Sequence, residues 1–151
     1  MIRLTADEAW DVIASAHTGI LTTLRRDGTP IALPVWFVAE DRTVAMMTPA
    51  GTKKIARVRH DPRASFLVES GQRWVDLRAV HLTGRVEIVT DEAAENRIEA
   101  AVNAKYAAFR PALAGLPAAT QNYYAKQVFL RFVPEGKILT WDNARVGKPR
   151  S

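Results

Sequence analysis

Two threonines and two lysines fall in one short stretch, Thr48-Pro49-Ala50-Gly51-Thr52-Lys53-Lys54. A strand-like run, Thr43 to Thr48, precedes them, and a helix-like run from Thr52 to about His60 follows with Thr52 at its N-cap. A helix N-terminus offers backbone N–H groups without partners and the positive end of a dipole, so hydroxyls and ammonium groups gathered there suit a phosphate. The four-residue spacer between two glycines of a nucleotide-triphosphate loop is missing, and triphosphate hydrolysis gains no support. Local composition alone favours a plainer reading, a surface helix whose lysines face solvent.

Other chemistry is thinner. There is no cysteine, which removes disulfides, thiolate catalysis and iron–sulfur ligation and suits a reducing compartment. His17, His60 and His81 lack metal-ligand spacing; His81 shares a strand face with Thr83 and could reach a ligand. No nucleophile elbow surrounds any serine. Tyr106, Phe109, Tyr123 and Tyr124 read either as core or as the cap of a hydrophobic pocket. The formal net charge of +5 and the pI of about 9.9 call for an anionic partner. A nucleic acid is one such partner, but no recognition helix or aromatic platform accompanies the charge.

These residues need elements to place them. A chain of 151 residues is expected to form one domain over residues 1–151, without a signal peptide or a membrane span, in the cytoplasm. Thr5-Ala6-Asp7-Glu8 is a capping box for a helix to about Ala16. Ile20 to Leu24 and Pro30 to Val38, joined at Asp27-Gly28, read as a hairpin, and Thr43 to Thr48 adds a third strand to make a meander. Ala64 to Glu69 and Trp74 to Val89 follow as strands. In the second, the alternation slips near Arg78-Ala79, which implies a bulge. Ile98, Val102, Tyr106 and Phe109 mark a helix from Asp91 to about Phe109. Ala118 to Lys126 has no clear type; Val128 to Val133 and Lys137 to Trp141 are closing strands, and 143–151 is a basic tail expected to be mobile. Seven strand-like segments with short turns and flanking helices make a mainly β, antiparallel barrel.

The hairpin, the third strand, Thr48, Thr52-Lys53-Lys54, and Pro62 in Asp61-Pro62-Arg63-Ala64-Ser65 together resemble the pyridoxamine 5'-phosphate oxidase-like superfamily, which includes flavin/deazaflavin oxidoreductases. Leu77-Arg78-Ala79-Val80-His81-Leu82-Thr83-Gly84-Arg85 is similar to the family's next strand, and Ile138-Leu139-Thr140-Trp141-Asp142 to its closing strand. The resemblance implies a split β-barrel of FMN-binding type, a homodimer, and two interface sites holding FMN or the deazaflavin coenzyme. By position Lys54 matches the phosphate-binding lysine, with Thr52 its hydroxyl partner, Thr48 at the strand end and Lys53 adjacent. Pro34, Val35 and Trp36 would run beneath the ring, Arg78 and Ala79 lie near it, and Trp141 would border it. Arg57, with Arg59 and Arg63, would extend a positive strip toward an anionic tail.

Ala79 departs from true pyridoxamine-phosphate oxidases, which place a glutamine there, and their C-terminal Arg-x-His pattern is absent. Vitamin B6 oxidation is therefore not implied. What is implied is hydride transfer between the cofactor and a small organic substrate, the alternative being a non-catalytic flavin or haem carrier on the same barrel.

Overall fold

The computed structural model describes residues 2–147. Its first helix, α1 (Ala6–Ser15), opens on the expected capping box: the Glu8 N–H donates to Thr5 Oγ1, and the Glu8 carboxylate accepts from the Thr5 N–H. Strands β1 (Gly19–Leu24) and β2 (Pro30–Val35) form an antiparallel hairpin. Its turn has Gly28 at φ 86°, a conformation that costs glycine little.

The expected meander is corrected at the next step. The run from Pro30 to Val38 is broken at Trp36-Phe37, and β3 (Val38–Glu40) pairs with β4 (Thr43–Pro49), not with the first hairpin. Asp41 and Arg42 both take positive φ, the two-residue turn whose twist matches the strands it joins. The main path across the sheet is β2-β1-β5-β6-β7-β4-β3, so β2 and β3 lie at its two edges. Only two residues separate them in the chain, a reach of at most about 11 Å between Val35 and Val38. A sheet whose outer strands are tethered that closely must curl until its edges meet, and the result is the split antiparallel barrel.

Helix α2 (Lys53–His60) leads to β5 (Arg63–Ser70). The expected long strand from Trp74 splits: Trp74–Asp76 is a 3-10 turn and β6 (Arg78–Val89) begins after it. Its register against β5 runs unbroken from Ser70↔Arg78 to Arg63↔Arg85. The slip in alternation thus marks the start of a strand, and the bulge reading is corrected. On its other edge β6 changes partner. Residues 78–81 pair with β8 (Leu139–Asp142) and residues 84–89 with β7 (Gln127–Pro134). Gly84 sits at this fork, where an added Cβ would lie 2.1 Å from the Val133 carbonyl oxygen, so no side chain fits.

The barrel interior is filled by Leu21, Phe37, Met46, Phe66, Leu82, Leu130 and Phe132, closed by Ala9 and Ile13 of α1. A second apolar cluster lies outside, where Ala94, Ile98, Val102 and Tyr106 of α3 (Glu92–Tyr106) cover Val38, Ala45, Val89 and Phe129. The helix periodicity holds through Tyr106, but Phe109, in a 3-10 turn, is exposed. The segment without clear type is a helix, α4 (Ala118–Ala125), and the described residues form eight strands. Among the described residues no helix is long and apolar enough to cross a membrane.

The start of the expected mobile tail is instead strapped down; its last four residues lie outside those described. Asn143–Arg145 is a 3-10 turn whose Asn143 N–H donates to the Leu77 carbonyl. Arg145 pairs with Glu8 at 2.7 Å and with buried Asp142 at 3.4 Å. The Arg145 guanidinium, followed by the Thr5 N–H, holds the Glu8 carboxyl down at about 2. A carboxylate lowered on folding contributes stability that is complete above its ordinary value near 4.5 and is lost as pH falls toward 2. We expect thermal stability to decline through that window, and the decline to be shallower in Glu8→Gln; identical pH profiles would show that the strap contributes nothing.

Candidate functional site

The C-terminal end of β4 and the N-terminus of α2 meet at the loop Pro49 to Thr52, closed by a hydrogen bond from the Thr52 N–H to the Pro49 carbonyl. Thr48 is buried, its Oγ1 lies 3.3 Å from the Thr52 Oγ1, and Thr52 is the N-cap residue of α2. The expected cap is backbone only. The N-caps of α1 and α3 accept a backbone N–H with their side chains, whereas the Thr52 hydroxyl turns to Thr48 and accepts none. The first N–H groups of α2 therefore keep their capacity for an outside acceptor.

Lys54 stands half-buried in the first turn of this helix. Burial, aided by the positive charge of Arg57, pushes its ammonium below the usual lysine range, and among the described residues no carboxylate offsets that cost. Paired hydroxyls, free N–H groups and a desolvated cation are the donor set a phosphate monoester requires. Lys53 is exposed. The Arg57 Nε donates to the Oγ1 of buried Thr23 at 2.8 Å, so one edge of its guanidinium is committed to fixing α2 on β1.

The remaining sequence-derived candidates are placed elsewhere. Trp36 and Met47 pack together on the outer cluster, and the Trp36 ring stacks on Tyr106 with centroids 4.4 Å apart and planes at 2°. Pro34 and Val35 pair with Ile20 and Gly19 of β1. Val35 itself is buried in the barrel. Arg78, Ala79 and Trp141 form a separate group: Ala79 pairs with Trp141, and Arg78 reaches Asp142 at 3.2 Å. Met47 aligns with Phe129 and Phe129 with Val89. Ala79 thus lies ten residues down β6 from the level of the phosphate-type donors, about 33 Å of strand path. The two groups therefore stand at different levels of the sheet.

Sequence reasoning missed the role of Lys105. Its ammonium donates to the Ala16 and Phe37 carbonyls at 2.8 and 2.9 Å and lies 4.0 Å from the centroid of the Phe37 ring. With Tyr106 it fixes the Trp36-Phe37 crossover to α3. A lysine on a helix gives no such signal in a sequence, because its partners are backbone carbonyls far along the chain. Among the candidate pocket aromatics, Tyr106 is core, whereas Phe109, Tyr123 and Tyr124 are exposed.

A curled antiparallel half-barrel with flanking helices defines a split-barrel protein, here with an anion-type donor set at a strand-to-helix loop. Residues 5–136 match the pyridoxamine 5'-phosphate oxidase family, and the chain belongs to that family. No curated protein matches it. Among solved structures, it is similar to a conserved hypothetical protein from Mycobacterium tuberculosis, with 29% identity and a TM-score of 0.81 over 99% of this chain and 92% of that one. A FAD binding protein from Mycobacterium smegmatis is 24% identical, with a TM-score of 0.67 over 93% and 98%. The haem storage protein HutZ from Vibrio cholerae is 10% identical, with a TM-score of 0.69 over 90% and 94%; at such identities the likeness is one of fold.

Proposed function

We propose that this chain holds a flavin-type cofactor, FMN or the deazaflavin coenzyme, by its phosphate and supports hydride transfer between that cofactor and a small organic substrate. The observation that carries the reading is the half-buried Lys54 ammonium, without a carboxylate, beside Thr48, Thr52 and the uncapped N-terminus of α2. When bound, the cofactor supplies the two-electron chemistry, and the protein supplies grip, orientation and exclusion of water. Lys54 and the α2 N–H groups neutralise the phosphate, and Thr48 and Thr52 orient it. Buried Ala79 stands where true pyridoxamine-phosphate oxidases carry a glutamine, so oxidation of a B6 vitamer is not part of the proposal. A carrier would grip the cofactor with the same residues, and turnover of an electron donor separates carrier from enzyme. The lack of cysteine suits a reducing compartment, and the proposal places the protein in the cytoplasm.

The partner in this proposal is a second copy of the chain. Arg78 and Ala79 on β6 and Trp141 on β8 stand at a different level of the sheet from the phosphate donors of their own chain, and a second barrel would bring its own set to the ring. The outer face offers a surface for this: Pro34, Ile20, Leu67, His81 and Leu139 lie in register across β2, β1, β5, β6 and β8. The sheet-covering helix α3 packs instead on β3 and β4. Titration of the purified protein with FMN and with the deazaflavin coenzyme, followed by absorbance and sedimentation, tests both parts. Expected is one cofactor per chain in a dimer, absorbing in the blue for FMN and at shorter wavelength for deazaflavin. Binding of neither contradicts the function, and a loaded monomer contradicts the shared site.

A further inference from the structure

Between α3 and β7 the chain forms an arm, residues 107–126, in which no residue is buried. The arm is nonetheless ordered by its own hydrogen bonds. Gln121 Nε2 donates to the Leu116 carbonyl at 2.7 Å and Gln127 Nε2 to the Tyr124 carbonyl at 2.8 Å. It carries Phe109, Leu113, Tyr123 and Tyr124 at 61, 44, 51 and 45% exposure, and of these Tyr123 and Tyr124 stand in contact with each other. Tyr123 and Tyr124 meet edge to face, with centroids 5.0 Å apart and planes at 90°, which makes a two-walled aromatic corner.

The place of this corner decides what it serves. The Ala50 N–H donates to the Lys126 carbonyl at 2.9 Å, so the end of α4 is bound to the loop that carries Thr48 and Thr52. At its other end, Phe109 packs edge-on against His17, with ring centroids 4.5 Å apart, and His17 lies beside Trp36. The arm therefore runs from the Trp36 crossover to the phosphate-type loop. Residues 107–126 contain no aspartate or glutamate, and their two charges, Arg110 and Lys126, are positive, as are nearby Lys53 and Lys54. The tyrosine faces would attract a cation, but these positive groups oppose one, whereas a neutral or anionic aromatic molecule would find ring faces together with compensating charge.

We propose that the arm is the substrate-binding wall of the protein, its Tyr123–Tyr124 corner, tethered to the phosphate-type loop through Ala50 and Lys126, receiving a neutral or anionic planar aromatic molecule. This rests on the cofactor reading above and adds to it the chemical class of the substrate. The test is calorimetric titration of the cofactor-loaded protein with naphthalene-1-carboxylate and with 1-naphthylmethylammonium, in the wild type, Tyr123→Ala/Tyr124→Ala and Tyr123→Phe/Tyr124→Phe. The carboxylate should bind the wild type about tenfold more tightly than the ammonium probe. It should lose about tenfold in the alanine pair and change less than about twofold in the phenylalanine pair, because the rings and not the hydroxyls make the wall.

Cofactor affinity, read separately by absorbance, should be equal in all three proteins. Equal carboxylate binding in wild type and alanine pair would overturn the proposal while leaving the cofactor reading intact. If neither cofactor binds, the earlier reading fails on its own, and the same titrations of the bare protein decide the arm. Two further results would overturn it: conversion of a dimer to a monomer by the alanine pair, which would make the arm an interface, and tyrosine-dependent binding to phosphatidylglycerol vesicles, which would make it a membrane surface.

Discussion

Replacing Lys54 with alanine should weaken cofactor binding by about 10- to 150-fold while leaving the protein as stable as before. The first half of that expectation follows from the donor set. A charge-assisted contact to phosphate is worth about 1.5 to 3 kcal/mol, and Lys54 is the half-buried side-chain cation in the first turn of α2. The second half follows from its state in the protein alone. Its ammonium is held below the ordinary lysine range, by burial first and then by Arg57, so the charged form is disfavoured before an anion arrives. Removing a disfavoured charge costs the bare protein nothing, and in thermal melts the variant should match or slightly exceed the wild type. The two measurements must diverge: an unchanged dissociation constant would move the phosphate elsewhere, whereas a large fall in Tm would mean that Lys54 is structural. The exposed neighbour Lys53 provides the control, since Lys53→Ala should change affinity only a few-fold through screened charge.

The largest effect on stability should come from Tyr106. Its ring is fully buried against Trp36, and its hydroxyl accepts the Phe37 N–H at 2.9 Å while lying 2.8 Å from the His17 carbonyl and 2.9 Å from that of Phe37. This single side chain ties α3 to the crossover that lets β2 and β3 close the barrel. In Tyr106→Phe the ring and its stacking survive, but the buried Phe37 N–H is orphaned, at a cost of about 1 to 3 kcal/mol. For a domain of this size that is a fall in Tm of about 2 to 12 °C. Tyr106→Ala removes the ring as well, and about 3 to 5 kcal/mol should be lost. A Tyr106→Phe variant melting with the wild type would show that water satisfies Phe37 and that the hydroxyl is dispensable.

Much of the chain's local structure was legible because it is local chemistry. Thr5 and Glu8 form a capping box from side chains three residues apart, and Asp27-Gly28 supplies the positive φ of a hairpin. Ile98, Val102 and Tyr106 repeat at a helical period that any apolar surface would select. Thr48, Thr52 and Lys54 could be picked out because strand end, loop and helix start are contiguous in sequence. Errors arose where alternation of burial was asked to report connectivity. Residues 30–38 are apolar enough throughout to look like one strand, yet Trp36 and Phe37 turn it from one edge of the sheet to the other. Val75 and Leu77 look like strand positions out of phase, but the strand begins only at Arg78. The lone lysine Lys105 and the tail residue Arg145 were unreadable for the same reason, since their partners lie 68 and 137 residues away.

The grip first suggested by two threonines and two lysines was thus set by sequence as a possibility and by tertiary structure as an arrangement. Sequence alone determined that a helix would start at Lys53, that hydroxyls and cations would cluster there, and that the chain would make antiparallel strands. These outcomes depend on neighbours within a few residues, and short-range sterics and hydrogen bonding act on them directly. Only the closed barrel decided that Lys54 would be half-desolvated while Lys53 stayed in water, that Thr52 would face Thr48 and leave α2 uncapped, and that Ala79 of β6 would pair with Trp141 of β8 at another level of the sheet. Burial is a property of what the whole chain packs against a residue, and no spacing along the sequence encodes it.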